Sequence, residues 1–347
     1  MSPPSFGLVL QPHEPVETLV QVARDAEELG YRDLWITDDR LQKDVFVVLA
    51  AIAVATAELR LGPGVTNPFS RHPALVATAI ATIDELSGGR AVLGLGAGGT
   101  NHRALGVRRR APVTAVAEAI ELVRGLLAGR ELTLEGGVVR AEDARLDFTP
   151  RRPSIPIHVG ARAPRMLELA GELADGAIVG NVASPEGWSY ALQRIAAGAA
   201  RSGRAVEDLS LTAWVYCSVA DDSDAALGAL RPLVATSLAT SRSALATLGL
   251  EPPPEYLRRM DARGWSLERD AVAWAGEAVP AETLRWFGLG GTPAECARSL
   301  GELLARFPAI SSVAIVPAAP HGAGVADVAR RFIAEVVPLA LREGARA

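Results

Sequence analysis

Apolar segments of strand length alternate with longer amphipathic segments along most of this 347-residue chain. Several of the apolar segments contain almost no polar residue, which is typical of parallel strands that are buried on both faces. Eight rounds of strand and helix predict a closed (β/α)8 barrel, the TIM barrel, as a single α/β domain over residues 1–347; an open doubly wound sheet is the alternative. The predicted strands are Phe6–Gln11, Asp33–Thr37, Leu59–Val65, Ala91–Leu95, Ile155–Gly160, Ala177–Val179, Leu209–Val219 and Ser312–Val316.

Two segments interrupt the alternation. Residues 131–149 contain two short apolar runs on either side of Gly136-Gly137, which predicts an inserted β-hairpin. Residues 241–291 become rich in proline, tryptophan and charge, and we predict an irregular excursion before the last strand that covers the pocket.

Composition disfavours several classes of function. Lys43 is the only lysine and lies among charged residues, so Schiff-base lyase chemistry has little support. The net charge is −5, and the short Arg108–Arg110 cluster has no interleaved aromatic residues, so no nucleic-acid partner is predicted. Cys217 and Cys296 are too few for a disulfide framework and too far apart for a zinc knuckle.

The sequence contains no recognisable signal for export, membrane insertion, metal binding or a serine nucleophile. The N-terminus lacks a basic region followed by an apolar run, and no uncharged apolar stretch reaches about 18 residues. We therefore expect a cytoplasmic protein without a membrane partner. No G-x-S-x-G signature occurs, and no metal site is predicted because the five histidines lack paired ligand spacing: His13, His72, His102, His158 and His321.

Chemistry in such a barrel gathers at the carboxyl ends of the strands, and three of these ends are rich in glycine. This indicates a large flat ligand that approaches backbone atoms. Gly94-Leu95-Gly96-Ala97-Gly98-Gly99 matches G-x-G-x-x-G, but the acid expected about 20 residues later falls in a helical pattern, so a nicotinamide site is not supported. We interpret it as a strand end against a ring or ribityl chain, with a tight turn as the alternative.

Polar residues end the second and third strands. Gly64-Val65-Thr66-Asn67 closes the third strand, and the asparagine amide suits the pyrimidine edge of a flavin-like ring; turn formation by Asn67-Pro68 is the alternative. Asp38-Asp39 follows the second strand. One carboxylate can face the site while the other caps the next segment, or both can be solvated loop acids.

The fifth strand ends in Gly160-Ala161-Arg162, just before a helix that begins near Pro164. Backbone N–H groups of Gly160 and Ala161, with the first helical turn, can hold a phosphate, and Arg162 can add charge or extend into solvent. His158 lies among apolar residues, which favours a core histidine.

Four segments in the first 180 residues together resemble the luciferase-like monooxygenase superfamily. Within it, the nearest branch is that of coenzyme F420-dependent oxidoreductases similar to methylenetetrahydromethanopterin reductase. The segments are Asp33–Asp39 (DLWITDD), Leu61–Pro73 (LGPGVTNPFSRHP), Asp84–Gly98 (DELSGGRAVLGLGAG) and Pro156–Gly180 (PIHVGARAPRMLELAGELADGAIVG).

This resemblance implies that the ring of coenzyme F420, or alternatively of FMN, lies over the strand ends. It implies a non-prolyl cis peptide at Gly64–Val65 and a phosphate site at Gly160 and Ala161, with Gly180 and Asn181 close by. It also implies a homodimer formed through helices early in the barrel. Several F420-dependent members carry Asp-His or Glu-His where this chain has Asp38-Asp39, so the proton donor stays unassigned; the Gly64–Pro73 segment favours F420.

The resulting hypothesis is hydride transfer between the deazaflavin and a small organic molecule such as an imine, an enone or a methylene-pterin. Asp38 would orient the ring or a relay water, and His13 or His102 would give a proton to the product. Strand-end residues would hold the ring edge or leave room for its side chain: Thr66, Asn67, Gly94, Gly96 and Ala97. The rivals are an FMN-dependent monooxygenase and a barrel that binds without catalysis.

Overall fold

The computed structural model describes residues 3–38, 41–98 and 104–344. Eleven strands occur within these residues, and eight of them overlap the eight predicted ones. In chain order they are β1 (Ser5–Leu10), β2 (Asp33–Ile36), β3 (Arg60–Pro63), β4 (Leu93–Leu95), β5 (Leu132–Glu135), β6 (Arg140–Ala144), β7 (Ile157–Ala161), β8 (Gly176–Gly180), β9 (Ser210–Val219), β10 (Gly288–Gly291) and β11 (Ile310–Pro317).

The main sheet closes on itself. Its neighbours run β3, β2, β1, β11, β9, β8, β7 and β4, and these pairs are parallel. Isolated parallel bridges, Leu61 to Ala91 and Thr66 to Leu95, join β3 to β4 at the two ends of this order. The predicted barrel is therefore confirmed, and the open sheet is wrong.

Helices cover the outside of the barrel. Six of the helices in the described residues begin with proline at the first or second position, where its missing N–H costs no hydrogen bond. None of the described helices has both the length and the apolar run that crossing a membrane requires. The helices next to the barrel strands are α1 (Val16–Glu28), α2 (Val45–Ala55), α3 (Pro73–Leu86), α4 (Pro112–Leu127), α5 (Pro164–Leu173) and α6 (Pro185–Arg201).

The remaining helices fall into an inserted group and a carboxyl-terminal group. The inserted group is α7 (Ser223–Thr240), α8 (Arg242–Thr247), α9 (Pro254–Ala262), α10 (Arg269–Gly276) and α11 (Ala281–Phe287). The terminal group is α12 (Pro293–Arg306), α13 (Val325–Arg331) and α14 (Val337–Gly344), with a π-helical turn at Phe332–Val336; a 3-10 turn, Val206–Asp208, precedes β9.

The hairpin predicted within residues 131–149 is present as the antiparallel pair β5–β6. Glu118 of α4 holds its turn, because the carboxylate accepts hydrogen bonds from the backbone N–H groups of Gly137, Val138 and Val139 at 2.7, 3.0 and 2.8 Å.

The prediction that residues 241–291 are irregular is wrong, because this span contains α8 to α11 and β10. The prediction took the prolines of this span as signs of a loop. Pro253 is the N-cap of α9, Pro254 is its first residue, and Pro280 is the N-cap of α11, so these prolines lie at helix starts. The insertion also begins earlier, at α7. The helix that leads from the seventh barrel strand to β11 is α12, and β10 is a short ninth parallel strand beside the upper end of β9.

Alternate residues of the strands fill the barrel interior. Trp35, Trp214 and Tyr216 are its largest side chains, all are buried, and the two indole rings lie 6.2 Å apart. At the amino-terminal end of the barrel, Asp33 pairs with Arg60 at 2.7 Å. The interior cluster continues into apolar residues of the inserted helices, which include Leu230, Val234, Tyr256 and Phe287.

Candidate active site

A cis peptide bond between Gly64 and Val65 ends β3, as the resemblance implies. Gly64 donates its N–H to the carbonyl of Ile36 at 2.7 Å. A Cβ atom at Gly64 would lie 2.5 Å from Cη2 of Trp214 and 3.0 Å from Cβ of Trp35. Only glycine fits over this tryptophan pair, which supports the bulge from inside the barrel.

Val65 occupies the space between the glycine-rich ends of β4 and β7. Added Cβ atoms at Gly94, Gly96 and Gly160 would lie 3.1, 2.8 and 3.0 Å from its methyl groups. Gly94 is restricted first by the Pro63 carbonyl oxygen, 2.1 Å from an added Cβ, and Gly96 by Val65. That Gly94 and Gly96 also leave room for a cofactor chain stays a prediction. Because Val65 is only partly buried, it presents the open surface of this region, which we call the Val65 floor.

Ala97 and Gly98 follow β4 and are partly exposed. Gly98 has a left-handed backbone (φ 73°), and its carbonyl accepts a hydrogen bond from Arg109 at 3.1 Å. These two residues lie at the rim of the barrel.

Asp38 lies at the end of β2 beside this floor. Thr66 donates its hydroxyl to Oδ2 of Asp38 at 2.7 Å, and Nε of Arg71 lies 3.8 Å from the same oxygen. Thr66 is fully buried, so it positions Asp38 and does not contact a ring edge as expected. Asp39 lies outside the described residues.

The Asn67 amide is used within its own turn. Its oxygen accepts the N–H groups of Phe69 and Ser70 at 3.0 and 2.9 Å, and its nitrogen donates to Oγ of Ser70 at 2.8 Å. The side chain is 1% exposed. The expected contact with a ring edge is thus replaced by turn formation, which was the alternative interpretation.

A cationic and polar group lies at the ends of β7 and β8. Nη1 of Arg162 is buried and has no partner among the described residues. Burial lowers the pKa of Arg162, and the nearby Tyr216 phenol opposes the shift. Gly180 adjoins this guanidinium, since a Cβ there would lie 3.9 Å from Nε of Arg162, an ordinary contact distance.

Asn181 adds a second unsatisfied atom to this group. Its backbone is left-handed (φ 52°), and its N–H donates to the carbonyl of Trp214 at 2.7 Å. The amide nitrogen donates to Oη of Tyr216 at 2.9 Å, whereas the buried Oδ1 has no partner in the described part of the chain. An arginine donor and an amide acceptor are therefore both available to a ligand.

Gly160 and Ala161 lie within β7, paired in register with Ile178 and Val179 of β8. Strand pairing therefore engages this part of the backbone. Helix α5 begins at Pro164, two residues after Arg162. Proline has no N–H, and the N–H groups of Met166 and Leu167 donate to the carbonyl of Ala163 at 3.1 and 3.0 Å. Among the described residues, Arg162 and the backbone N–H of Arg165 are therefore the donors of the expected phosphate site that stay available.

The structure places His13 at the surface and His158 in the core. His13 is exposed in the loop after β1, where its Nε2 lies 3.4 Å from Nε2 of Gln42 and its carbonyl accepts from Lys43 at 2.9 Å. His158 is buried in the barrel with its ring 5.9 Å from Trp35, and burial lowers its pKa to about 4. It is a core histidine, although its Nδ1 has no partner among the described residues. His102 lies outside the described residues.

Sequence reasoning missed Arg71, Tyr216 and Ser237. Arg71 stood within the quoted third-strand segment without a role. Trp214 and Tyr216 had a usable signal, since every second residue of β9 faces the barrel interior. Ser237 had none, because its place beside Tyr216 depends on how α7 folds back over the barrel mouth.

Comparison with known proteins agrees with this geometry. Residues 2–308 match the family model of the luciferase-like monooxygenases, and the chain belongs to this family. It is therefore an oxidoreductase of the luciferase-like type. The 5,10-methylenetetrahydromethanopterin reductase of Methanolobus tindarius is 35% identical over 302 residues, covering 86% of this chain and 90% of the relative.

A second relative and a solved structure extend the comparison. An F420-dependent glucose-6-phosphate dehydrogenase of Beutenbergia cavernae is 34% identical over 240 residues, covering 67% of this chain and 69% of the relative. The structure of the coenzyme F420-dependent tetrahydromethanopterin reductase of Methanopyrus kandleri superposes with a TM-score of 0.85 at 28% identity, over 97% of this chain and 99% of that one.

Proposed function

We propose that this protein is a coenzyme F420-dependent oxidoreductase that transfers a hydride between the deazaflavin and an electron-poor carbon of a small substrate, such as an imine, an enone or a methylene-pterin. The observation that carries the proposal is the Val65 floor, which lies between the Asp38 carboxylate and the Arg162 guanidinium. A flat ring with a negatively charged side chain fits this distribution of shape and charge. Relatives named for F420 support the choice of cofactor.

The orphaned polar atoms are consistent with such a cofactor. A buried arginine nitrogen without a partner is costly, and an anion beside it removes that cost. Arg162 and the first turn of α5 would hold the phosphate, Val65 would support the ring, and Asp38 would orient it. When bound, the cofactor supplies the hydride chemistry, while the chain fixes the face and distance of the substrate.

An FMN-dependent monooxygenase is the second candidate. It is favoured by the pair Asp38-Asp39, which lacks the histidine of several F420-dependent members. The floor suits either planar ring, so the described residues do not by themselves separate the two cofactors.

Binding measurements with purified protein test the proposal. We expect saturable quenching of F420 fluorescence and weaker binding of FMN, with little oxygen consumption by the reduced protein. Tight FMN binding with rapid oxygen consumption would favour the monooxygenase instead. If neither cofactor binds, the proposed function is overturned.

The role of Arg162 is tested with F420 and its dephosphorylated form, which lacks the anionic tail. Arg162→Gln should weaken F420 binding by about tenfold or more, because a charge-assisted hydrogen bond contributes about 1.5–3 kcal/mol. Binding of the dephosphorylated form should change little. The matched control is Arg165→Gln, an exposed arginine three residues along the chain, which should bind both forms like the wild type. Equal losses for both forms would remove the anion role.

We also propose a homodimer formed through α2 and α3. Helix α2 (VFVVLAAIAVA) has no polar residue, yet Val47 and Val54 on its outer face are 64% and 68% exposed. Leu75 of the neighbouring α3 is 66% exposed. A continuous apolar surface of this kind is typical of a protein–protein interface.

A further inference from the structure

Trp214 and Tyr216 are two residues apart in β9, and Tyr216 is the one nearer the barrel mouth. Residues two apart on a strand face the same side, roughly 7 Å apart. Trp214 packs beneath Gly64, and Val65 packs against the same apolar cluster that contains Tyr216, so the Tyr216 ring lies at the mouth end of this cluster, next to β8. It is one of the largest side chains at this end of the interior.

The phenol oxygen of Tyr216 is held by two neighbours. The Asn181 amide nitrogen can only donate, so the phenol accepts that hydrogen bond at 2.9 Å. Oγ of Ser237 lies 2.8 Å away, and either hydroxyl can be the donor of this bond. When the Ser237 hydroxyl donates to the phenol oxygen, the phenol O–H can donate to a third group.

The surroundings of Tyr216 suit the release of that proton. Burial raises the pKa of Tyr216, while Arg162 and the Ser237 hydrogen bond lower it, and the balance keeps it above the ordinary value. The phenol is therefore protonated at neutral pH. Once the proton has left, the Asn181 amide and the Ser237 hydroxyl can both donate to the phenolate. Nη1 of Arg162 and Oδ1 of Asn181 are buried and have no partner among the described residues.

Other acids among the described residues are less suitable. Asp38 accepts a hydrogen bond from Thr66 and lies 3.8 Å from Nε of Arg71, so both neighbours already engage its carboxylate. His158 lies in the barrel interior beside Trp35, and its lowered pKa leaves it neutral. His13 is exposed in a rim loop and bonded to the next loop.

We propose that Tyr216 is the proton donor of this enzyme, an inference that rests on the proposed function. The hydride forms a C–H bond at the electron-poor carbon. In an imine the π electrons, and in a methylene bridge the electrons of the broken C–N bond, pass to the nitrogen on that carbon, which takes the Tyr216 proton. In an enone the hydride adds at the β carbon, the C=C π electrons shift toward the carbonyl, and the resulting enolate takes the proton. The substrate gains two electrons, the cofactor loses two, and the phenolate regains a proton from water.

A binding experiment that needs no turnover tests the placement of the phenol. The chain has four tyrosines, so ¹³Cζ-labelled tyrosine gives four resonances, and Tyr216→Phe assigns one of them. Adding oxidised F420 should shift the Tyr216 resonance most, because this phenol is bonded to Asn181 at the carboxyl end of β8, where the proposed site lies. The resonance of Tyr190, on the outer helix α6, should stay unchanged. If F420 binds and the Tyr216 resonance does not move, the inference is overturned while the proposed function stands.

A kinetic experiment tests the chemistry. Single-turnover oxidation of reduced F420 is followed with cyclohex-2-enone and with methylenetetrahydromethanopterin as probes. Tyr216→Phe should lower the rate by about 100-fold or more, the usual size of a general-acid contribution, with F420 affinity within about twofold of the wild type. Tyr190→Phe, whose buried hydroxyl has no partner among the described residues, is the matched control and should keep the wild-type rate.

Ser237→Ala provides an intermediate variant. It removes one donor to the phenolate and should slow turnover by about tenfold while leaving the phenol in place. A Tyr216→Phe rate within threefold of the wild type overturns the inference. If no cofactor binds to the wild-type protein, the proposed function and this inference fall together.

Discussion

Val65 shows how a single side chain restricts which residue types fit at the positions around it. Its methyl groups fill the space above Gly96 and Gly160, so these two positions exclude a larger residue, whereas Gly94 is restricted first by the Pro63 carbonyl oxygen. The glycines are therefore required by protein packing.

Gly96→Ala is predicted to weaken F420 binding by about tenfold or more. The new Cβ would lie 2.8 Å from Cγ2 of Val65, and the valine must move into the space above the floor. Overpacking of this kind typically costs about 1–3 kcal/mol. Fluorescence titration measures the affinity, and Gly228→Ala on α7, where an added Cβ meets no atom within 4 Å, is the control. Wild-type affinity in Gly96→Ala would contradict the proposed floor.

His158 is predicted to make the protein less stable as the pH falls from 6.5 to about 4. Burial lowers its folded-state pKa from 6.5 to about 4, so the unfolded chain takes up the proton first and gains stability relative to the fold. The full effect is about 3 kcal/mol at 1.36 kcal/mol per pKa unit.

The test compares His158→Phe with the wild type in urea unfolding at pH 7.5 and pH 4.5. Other groups titrate in both proteins, so the relevant quantity is the difference between their pH dependences. The variant should lose less stability on acidification by up to about 3 kcal/mol. Parallel pH profiles would show that His158 does not titrate differently on unfolding.

At the scale of elements, Glu118 fastens the β5–β6 hairpin to α4. Burial raises the pKa of this carboxyl, but three backbone N–H donors outweigh it and the net pKa is below the ordinary value. Glu118→Ala should leave those donors unsatisfied, cost about 1–3 kcal/mol, and speed amide exchange throughout residues 132–144. Glu121→Ala, at an exposed position of the same helix, should leave exchange in the hairpin unchanged. Slow exchange in Glu118→Ala would mean that the hairpin holds its place without the carboxylate.

The elements that sequence predicted best are those whose environment is uniform along the segment. Barrel strands are buried on both faces, so their apolar runs are visible without knowledge of their partners. The span 241–291 was mispredicted because Pro253, Pro254 and Pro280 have the same composition signal at a helix start as in a loop. Strand β10, with the sequence GLGG, has no apolar run to reveal it.

For the candidate site, the sequence predicted the positions of residues better than their contacts. The positions of Asp38, Gly64, Val65, Arg162 and Asn181 followed from their places at strand ends. Their contacts did not, because these join residues far apart in the chain: Thr66 binds Asp38 across 28 positions, and Asn181 binds Tyr216 across 35. Roles that depend on such pairs, including those of Thr66 and Ser237, require the fold.

At the scale of the whole molecule, the inserted helices and the barrel share one apolar cluster. Tyr216 contributes its ring to this cluster and its hydroxyl to Ser237 of α7. The insertion is thereby connected to the ends of β8 and β9, where the proposed cofactor and substrate meet. Changes in the packing of α7 are therefore expected to alter the position of the Tyr216 phenol before they alter the barrel itself.

The apolar surface of α2 and α3 provides the last prediction, which concerns assembly. Val54→Asp places a charge at the centre of this surface, and burying an unpaired carboxylate in an interface is strongly unfavourable. We expect sedimentation velocity at micromolar concentration to show a dimer for the wild type and a monomer for Val54→Asp, with the same far-UV circular dichroism. Val325→Asp is the control, because Val325 is exposed at the first turn of α13, where an acid is favourable. It should remain a dimer. A wild-type protein that is monomeric over this concentration range would show that the surface has another purpose, whereas a dimer that survives Val54→Asp would place the interface on a different face.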